Sequence, residues 1–160
     1  MIVVAIIGIL ASVAIPQYQT YIARTDVATV VTSSARPIQV AVTEYASTYG
    51  DLPESFTELM NDVAFMRIDD TVYTSADFAV ATKVATVAYS GSRHASDPTH
   101  STGAILITFA HDNLAIGTTQ MTLAAVINAA GVVQFVIDDG ATATTVKKKY
   151  WPKLTLKSEI

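Results

Sequence analysis

The chain has 160 residues, which is room for one domain with at most an appendage. Hydrophobic residues make up 51% of it and charged residues 15%. A soluble domain usually carries about a quarter charged residues. The high apolar and low charged content of this chain therefore argues against disorder. The net charge of −4 gives no general attraction for phosphate backbones, and DNA binding would need a local basic patch. The absence of cysteine excludes disulfides, thiolate zinc sites and cysteine nucleophiles.

The chain opens with a segregated apolar segment. Residues 1–23 contain no charged side chain, and residues 1–15 are almost entirely apolar. As a helix, these 15 residues rise about 22 Å, short of the roughly 30 Å hydrocarbon core of a bilayer. A cleaved signal peptide would place basic residues before the apolar run, whereas Met1 here opens directly into apolar residues. The sequence therefore does not fit a signal peptide. A buried core helix is the remaining alternative, and the absence of a polar face counts against it.

A two-sided helical pattern follows Pro16. Apolar and aromatic residues recur every three or four positions and form one stripe on an α-helix. The stripe consists of Val27, Val31, Ala35, Ile38, Val42, Tyr45 and Tyr49. Gly50 follows it where a C-terminal cap belongs, so the helix is predicted to end near residue 49. Pro16 and Pro37 each remove an intrahelical hydrogen bond, and we expect two kinks or one melted stretch.

The first 24 residues, MIVVAIIGILASVAIPQYQTYIAR, resemble the N-terminal helix of type IV pilins of the a subclass. In that family the mature chain begins with Phe-Thr-Leu-Ile-Glu-Leu, placed immediately before the methionine that matches Met1. The resemblance implies that the given chain is incomplete at its start and that an assembly glutamate lies two residues upstream of Met1. With these residues the apolar stretch would reach about 21 residues and span a bilayer.

The resemblance also implies a role for the apolar segment, first in the inner membrane and then in the core of a filament. The side chains expected to form this surface are Met1, Ile2, Val3, Val4, Ile6, Ile7, Ile9, Leu10, Val13 and Ile15. Processing by a prepilin peptidase and N-terminal methylation are implied in the same way.

Beyond Gly50 the sequence predicts a connecting loop over residues 51–70 and then a sheet. Pro53 and Glu54 can open a short helix in that loop. Its buried side is predicted to be Phe56, Leu59 and Met60. Alternating β-forming residues predict strands over 83–89, 104–109, 121–127 and 132–137. Residues 128–131 predict a hairpin, and an antiparallel meander covered by the helix stripe is the simplest arrangement.

The predicted fold class is α+β, with a long N-terminal helix packed on an antiparallel sheet of about four strands, the pilin fold. We divide the chain into an apolar helix over 1–23, an amphipathic half over 24–50, a connecting loop over 51–82, and a sheet with a C-terminal loop over 83–160. In the family two cysteines usually bridge the closing loop, and Ile137 and Thr155 stand near those positions. Packing of Tyr150, Trp151 and Leu154 is therefore expected to hold the loop in their place.

Candidate metal-binding and catalytic residues are sparse. His94, His100 and His111 lack the spacing that a helix or hairpin would impose on metal ligands, and we interpret them as solvated loop residues. The aspartate pairs at 69–70 and 138–139 lack the alternating oxygen ligands of a calcium loop. Without a nucleophile triad, phosphate loop or supported carboxylate pair, we predict no cofactor, no metal site and no enzyme activity.

Four helix tyrosines, Tyr18, Tyr21, Tyr45 and Tyr49, would suit either packing or electron conduction between subunits. Packing is favoured, because a tyrosine supplies a large apolar area and needs one polar partner.

The charges are unevenly distributed. The last 14 residues carry +4, whereas residues 37–82 contain eight acids and one base, a charge of −7. The basic patch consists of Lys147, Lys148, Lys149, Lys153 and Lys157. It fits a solvated face, a contact with the acidic loop of an adjacent subunit, or DNA.

These features predict a structural subunit that polymerises into a type IV pilus, with a pseudopilin or minor pilin as the alternative. A single-anchor periplasmic ligand-binding module is an alternative of another class. The resemblance implies an inner-membrane subunit that enters an extracellular homopolymeric pilus with the help of assembly machinery. It also implies roles in cell adhesion or twitching motility, with contact to DNA or a surface as a further candidate.

Overall fold

The computed structural model describes residues 1–63, 71–79, 83–110, 119–128, 130–142 and 144–152. It confirms the α+β class, because a long helix packs on a four-stranded sheet. The helices are α1 (Ile2–Tyr49) and α2 (Phe56–Asp62). The strands are β1 (Val84–Ser92), β2 (Thr102–Phe109), β3 (Gln120–Ile127) and β4 (Val133–Ile137). Short 3-10 turns lie at Pro98–His100 and Lys148–Tyr150.

Helix α1 runs unbroken through both Pro16 and Pro37. The expectation of a melted stretch is therefore wrong, while a bend at either proline stays a prediction. Near Pro37 the loss of one hydrogen bond is offset by packing, since Ala35 and Ile38 are fully buried. At its other end the helix closes as predicted, because Gly50 adopts a left-handed φ of 73° and its N–H donates to the Ala46 carbonyl.

The predicted stripe on α1 is its buried face, with one exception. Val27, Val31, Ala35, Ile38, Val42 and Tyr45 are all buried. Tyr49 is 56% exposed and stacks on Tyr45 with ring centroids 4.5 Å apart. It lies in the last turn, where the helix has passed the core. The buried face also takes in small side chains beside the stripe, namely Ala23, Val30, Ser34, Ala41 and Ala46.

Helix α2 begins later than predicted. Its N-cap is Ser55, whose hydroxyl accepts from the Glu58 N–H, rather than Pro53 or Glu54. Its predicted buried side is confirmed for Leu59 and Met60, which are fully buried, while Phe56 is half-buried and meets Phe78 edge to face.

The sheet is the predicted meander, with strand order β1-β2-β3-β4 and every pairing antiparallel. Strands β1 and β2 extend farther than predicted, because the ladder continues to the pairing of Ser92 with Thr102. The predicted hairpin between β3 and β4 is also present. There the Asn128 side chain accepts from the Ala130 and Val132 N–H groups, and Gly131 has φ 76°.

The closing segment after β4 returns to helix α1. Trp151 is 91% buried, and its indole N–H donates to the Val146 carbonyl at 2.6 Å. The Arg24 Nε donates to the Trp151 carbonyl at 3.1 Å, which ties the segment to the helix. Trp151 and the half-buried Tyr150 thus pack as predicted, and Val146 is a buried residue that the sequence pattern did not single out. Leu154 and Thr155 lie outside the described residues, whereas Ile137 is fully buried in the core.

Candidate assembly surface on the N-terminal helix

The first part of α1 projects from the head, the globular part formed by the rest of the chain. Its best 18-residue window has a mean hydropathy of 1.8, and none of that window is buried. By length and composition, α1 could cross a membrane. Its exposed apolar side chains are Met1, Ile2, Val3, Val4, Ile6, Ile7, Ile9, Leu10, Val13 and Ile15. These are the residues predicted for the apolar surface, and no side chain of the described head covers them.

The boundary between the projecting part and the head falls at Ala23. Ile22 is 42% exposed, and Ala23 is buried. Arg24, the first charged residue of the chain, bonds to the closing segment. Tyr18 and Tyr21 lie on the projecting side and are about two-thirds exposed. About 22 residues of helix, some 33 Å, therefore stand clear of the head.

The serine and threonine side chains of α1 make hydrogen bonds within the helix itself. All ten of its serine and threonine hydroxyls donate to a backbone carbonyl three or four residues earlier in the chain. They are Ser12, Thr20, Thr25, Thr29, Thr32, Ser33, Ser34, Thr43, Ser47 and Thr48. The serine and threonine hydroxyls of the projecting part are therefore already satisfied as donors.

An apolar helix of this length is costly to leave in water. At about 25 cal/mol per Å², exposing 1,000 Å² of apolar surface costs on the order of 25 kcal/mol relative to an apolar environment. The net stability of an entire domain is only about 5–15 kcal/mol. The projecting helix therefore requires a cover, which either lipid or other protein chains can supply.

Comparison with known proteins gives this surface a context. No family model and no solved structure matches the chain. The type IV major pilin protein PilE1 of Neisseria gonorrhoeae is 49% identical over 57 residues, which cover 36% of this chain and 34% of PilE1. The type IV major fimbrial protein FimA of Dichelobacter nodosus is 64% identical over 36 residues, covering 22% of this chain and 23% of FimA. The chain is type IV major pilin-like.

A fimbrial protein of Neisseria meningitidis is 47% identical over 57 residues, covering 36% of this pilin-like chain and 33% of the relative. The chain spans about a third or less of the length of these curated relatives. Each of the three is named as a pilin or fimbrial protein, which is a structural rather than an enzymatic description.

At the far end of its head, the pilin-like chain holds a charged cluster around Arg93. The Arg93 Nη2 donates to Glu58 Oε1 and to the Tyr45 hydroxyl, each at 2.8 Å. Asp51 and Glu54 lie within 3.6 and 4.0 Å of the same guanidinium. The cluster joins the end of α1, the connecting loop and α2 to the residue that follows β1. Sequence analysis missed Arg93, because its partners are up to 48 residues away along the chain.

Glu58 is the acceptor on which the cluster depends. The Tyr45 hydroxyl donates to Oε1 at 2.6 Å, and the Glu54 N–H donates to Oε2 at 2.6 Å. Burial acts to raise the pKa of Glu58, but the hydrogen bonds from Tyr45, Glu54 and Arg93 lower it from 4.5 to about 2. Burial, assisted by the bond to Glu58, raises the pKa of the Tyr45 hydroxyl to about 12. Glu58 is therefore ionised and Tyr45 protonated over the physiological pH range.

The predicted charge asymmetry is modified by this cluster. Three of the acids counted in residues 37–82, Asp51, Glu54 and Glu58, already face Arg93 within the subunit. Of the predicted basic patch, Lys147 and Lys148 are exposed beside Trp151, with the Lys148 Nζ 5.9 Å from the indole centroid. The Lys149 side chain, Lys153 and Lys157 lie outside the described part of the chain. Contact of the patch with an adjacent subunit stays a prediction.

The histidines show no metal-binding arrangement within the described residues. His94 and His100 are exposed, with ring centroids 5.4 Å apart, and the His100 Nδ1 lies 2.8 Å from Asp97. No group of three or more His, Asp or Glu side chains suited to a metal ion occurs in the described ranges. His111 and the 69–70 aspartate pair lie outside them. Asp138 accepts from the Gly140 N–H in a turn.

The four helix tyrosines divide into two pairs. Tyr45 is buried and Tyr49 stacks on it, as the packing interpretation predicted. Tyr18 and Tyr21 are exposed on the projecting helix, so the described residues supply little packing for them. Their apolar rings add to the surface that requires a cover.

Proposed function

We propose that the chain is a structural subunit that polymerises into a type IV pilus through the projecting part of α1. The observation that carries the proposal is the apolar helical window, none of which is buried within the described part of the chain. Similarity to major pilins and fimbrial proteins supports it. Polymerisation is what gives such a helix a protein cover, because the same helix of neighbouring subunits presents an equally apolar surface.

In this proposal the projecting helix moves between two apolar environments. It lies in the inner membrane before assembly, and it joins a bundle of identical helices in the extracellular filament afterwards. Both lipid and bundle bury the side chains between Met1 and Ile15, so the transfer avoids the cost of exposing them to water. Successive subunits related by a rotation that does not close form an open helical polymer. Prepilin peptidase and a membrane assembly machine are the partners that this cycle requires.

The test places an acid on the projecting helix. Ile6→Asp and Ile9→Asp should each abolish filaments, since an unpaired carboxylate in a bilayer or helix bundle costs several kcal/mol. Thr43→Asp is the matched control, because Thr43 is an exposed residue of the same helix within the head. Piliation would be measured in shear fractions of a complemented pilin-deletion strain, with total subunit measured in parallel.

The proposal predicts normal subunit levels but no filaments for either isoleucine variant, and normal filaments for Thr43→Asp. Filaments of normal yield from either Ile6→Asp or Ile9→Asp would overturn it. The abundance of the chain in purified filaments separates a major subunit from the alternative of a minor pilin or pseudopilin.

A further inference from the structure

The closing segment of the head lies beside the point where α1 leaves the head. The Arg24 side chain donates to the Trp151 carbonyl, and the Trp151 N–H donates to the Lys148 carbonyl. Lys147 and Lys148 are exposed one short turn before Trp151. Arg24, Lys147 and Lys148 therefore gather at the foot of the head, the end from which the apolar helix projects.

The position of Arg24 along α1 sets the height of this foot above a membrane. Tyr18 and Tyr21 are exposed at the end of the apolar stretch, where aromatic residues mark the membrane interface. Arg24 lies three to six residues beyond them, about 5–9 Å along the helix. The headgroup layer of a bilayer is roughly 5–8 Å thick on each side. A helix inserted up to its tyrosines thus places Arg24 at the level of the phosphates.

The charges of the described head are polarised along the same axis. At the foot, the nearest acid on α1 is Asp26, and Lys83 neutralises it at 3.1 Å. The carboxylates around Arg93 lie near Tyr45, 21 residues from Arg24 and about 31 Å farther along the helix. Asp138, which follows β4, lies nearer the foot end of β3, where its N–H donates to the Thr122 carbonyl and its own carbonyl accepts from the Thr144 hydroxyl. The basic foot thus faces the side from which the helix projects, and the acidic cluster faces away from it.

We infer that Arg24, Lys147 and Lys148 form an electrostatic foot that docks the head of the unassembled subunit onto an anionic phospholipid surface. The inference rests on the proposed insertion of α1 in a membrane. A neighbouring subunit is a weaker candidate for this patch, since three of the acids in the complementary loop are already engaged by Arg93. Docking holds the head in one orientation on the bilayer before a subunit is extracted.

Trp151 supplies an internal reporter, because it is the single tryptophan of the chain. The full chain is reconstituted in vesicles of phosphatidylcholine alone or with 30% phosphatidylglycerol, each containing a headgroup nitroxide lipid that quenches nearby indoles. Quenching of Trp151 should be stronger in the anionic vesicles at low salt. It should return to the phosphatidylcholine level in 1 M NaCl, where charges are screened within about 3 Å.

Two variants of equal net charge test the lysines. The double variant Lys147→Gln with Lys148→Gln lowers the charge by two, as does the control Arg36→Glu on an exposed turn of α1 inside the head. A lysine near an anionic surface contributes about fivefold in binding, so the double variant should lower the docked-to-undocked ratio about thirtyfold. The control should retain the quenching of the unmodified chain. The emission maximum of Trp151 verifies that each variant is folded.

Flotation of the vesicles separates this inference from the proposed function. A chain that does not float with either vesicle contradicts insertion of α1, and both proposals fall. A chain that floats but shows equal quenching in the two vesicle types overturns only the docking of the electrostatic foot onto anionic lipid. Retained quenching in the lysine double variant also overturns it, and loss of pili in that variant would then assign the patch to a neighbouring subunit. Duplex DNA that binds the patch while anionic vesicles leave quenching unchanged would likewise overturn it.

Discussion

Replacing Glu58 with glutamine tests whether the Arg93 cluster stabilises the head. The carboxylate accepts from Tyr45 and Arg93 through Oε1 and from the Glu54 N–H through Oε2. A glutamine amide has one acceptor oxygen, so Glu58→Gln turns either the Tyr45 side or the Glu54 side into a contact between two donors. It also leaves the guanidinium of Arg93 without its closest anionic partner.

The size of the effect follows from the pKa of Glu58. A fall in this pKa from 4.5 to about 2 on folding corresponds to about 3 kcal/mol of folding free energy before solvent screening is considered. The Glu58 side chain is 27% exposed, and solvent screening lowers the expected contribution to about 1–2 kcal/mol. The unsatisfied donor adds about 1 kcal/mol. We therefore expect Glu58→Gln to lower the free energy of unfolding by about 2–3 kcal/mol at pH 7.

The sign of the pH dependence is fixed by the same comparison. Because the folded-state pKa lies below the unfolded one, the stabilisation is fully present above about pH 4.5 and is lost as the pH falls toward 2. The measurement is urea unfolding of the full chain in non-ionic detergent at several pH values between 2.5 and 7, followed by Trp151 fluorescence. Glu44→Gln, the same change at an exposed residue of α1, is the control and should change stability little.

Two results would refute the reasoning about the cluster. One is a Glu58→Gln variant as stable at pH 7 as the unmodified chain. The other is a variant that still loses the same stability as the unmodified chain between pH 4.5 and 2.5, because the titrating group responsible would then lie elsewhere.

Further predictions concern the boundary of the head and the packing of its sheet. Deleting residues 1–21 should leave a soluble, folded monomer, because the buried face of α1 starts at Ala23; aggregation, or loss of the near-ultraviolet signal of Trp151, would show that the boundary is wrong. Gly103→Ala should destabilise the head by about 1–3 kcal/mol, since the new Cβ would stand 2.5 Å from the Tyr89 hydroxyl, which donates to the Pro53 carbonyl. Gly140→Ala meets only an ordinary contact and should change the thermal midpoint little.

The parts of the fold that depend on residues close together in the sequence were predictable from the sequence. Residues such as Val31, Ile38 and Val42 repeat at the helical period, so their burial on one face followed from spacing alone. The turn at 128–131 and the cap at Gly50 are local for the same reason. The apolar character of residues 1–15 followed from composition, and their role as a filament core stays a prediction.

Other features depend on contacts that spacing does not encode. Arg93 meets Glu58 35 residues away, and no local pattern links two such residues. Periodicity placed Tyr49 on the buried face, but it does not encode where the head stops covering that face. The cost of Pro37 was assessed for an isolated helix, whereas the helix in the fold is held by the sheet. In each case tertiary packing decided the outcome.

The self-contained hydroxyls of α1 have a consequence for how freely the helix changes neighbours. Since each serine and threonine hydroxyl already donates to its own backbone, removing water from any side of the helix leaves none of these hydroxyl protons unsatisfied. The hydroxyls therefore impose no preferred register on an adjoining helix and no demand on a lipid tail. The same helix can be repacked, rotated or returned to a bilayer with the hydrogen bonds of its serine and threonine side chains unchanged.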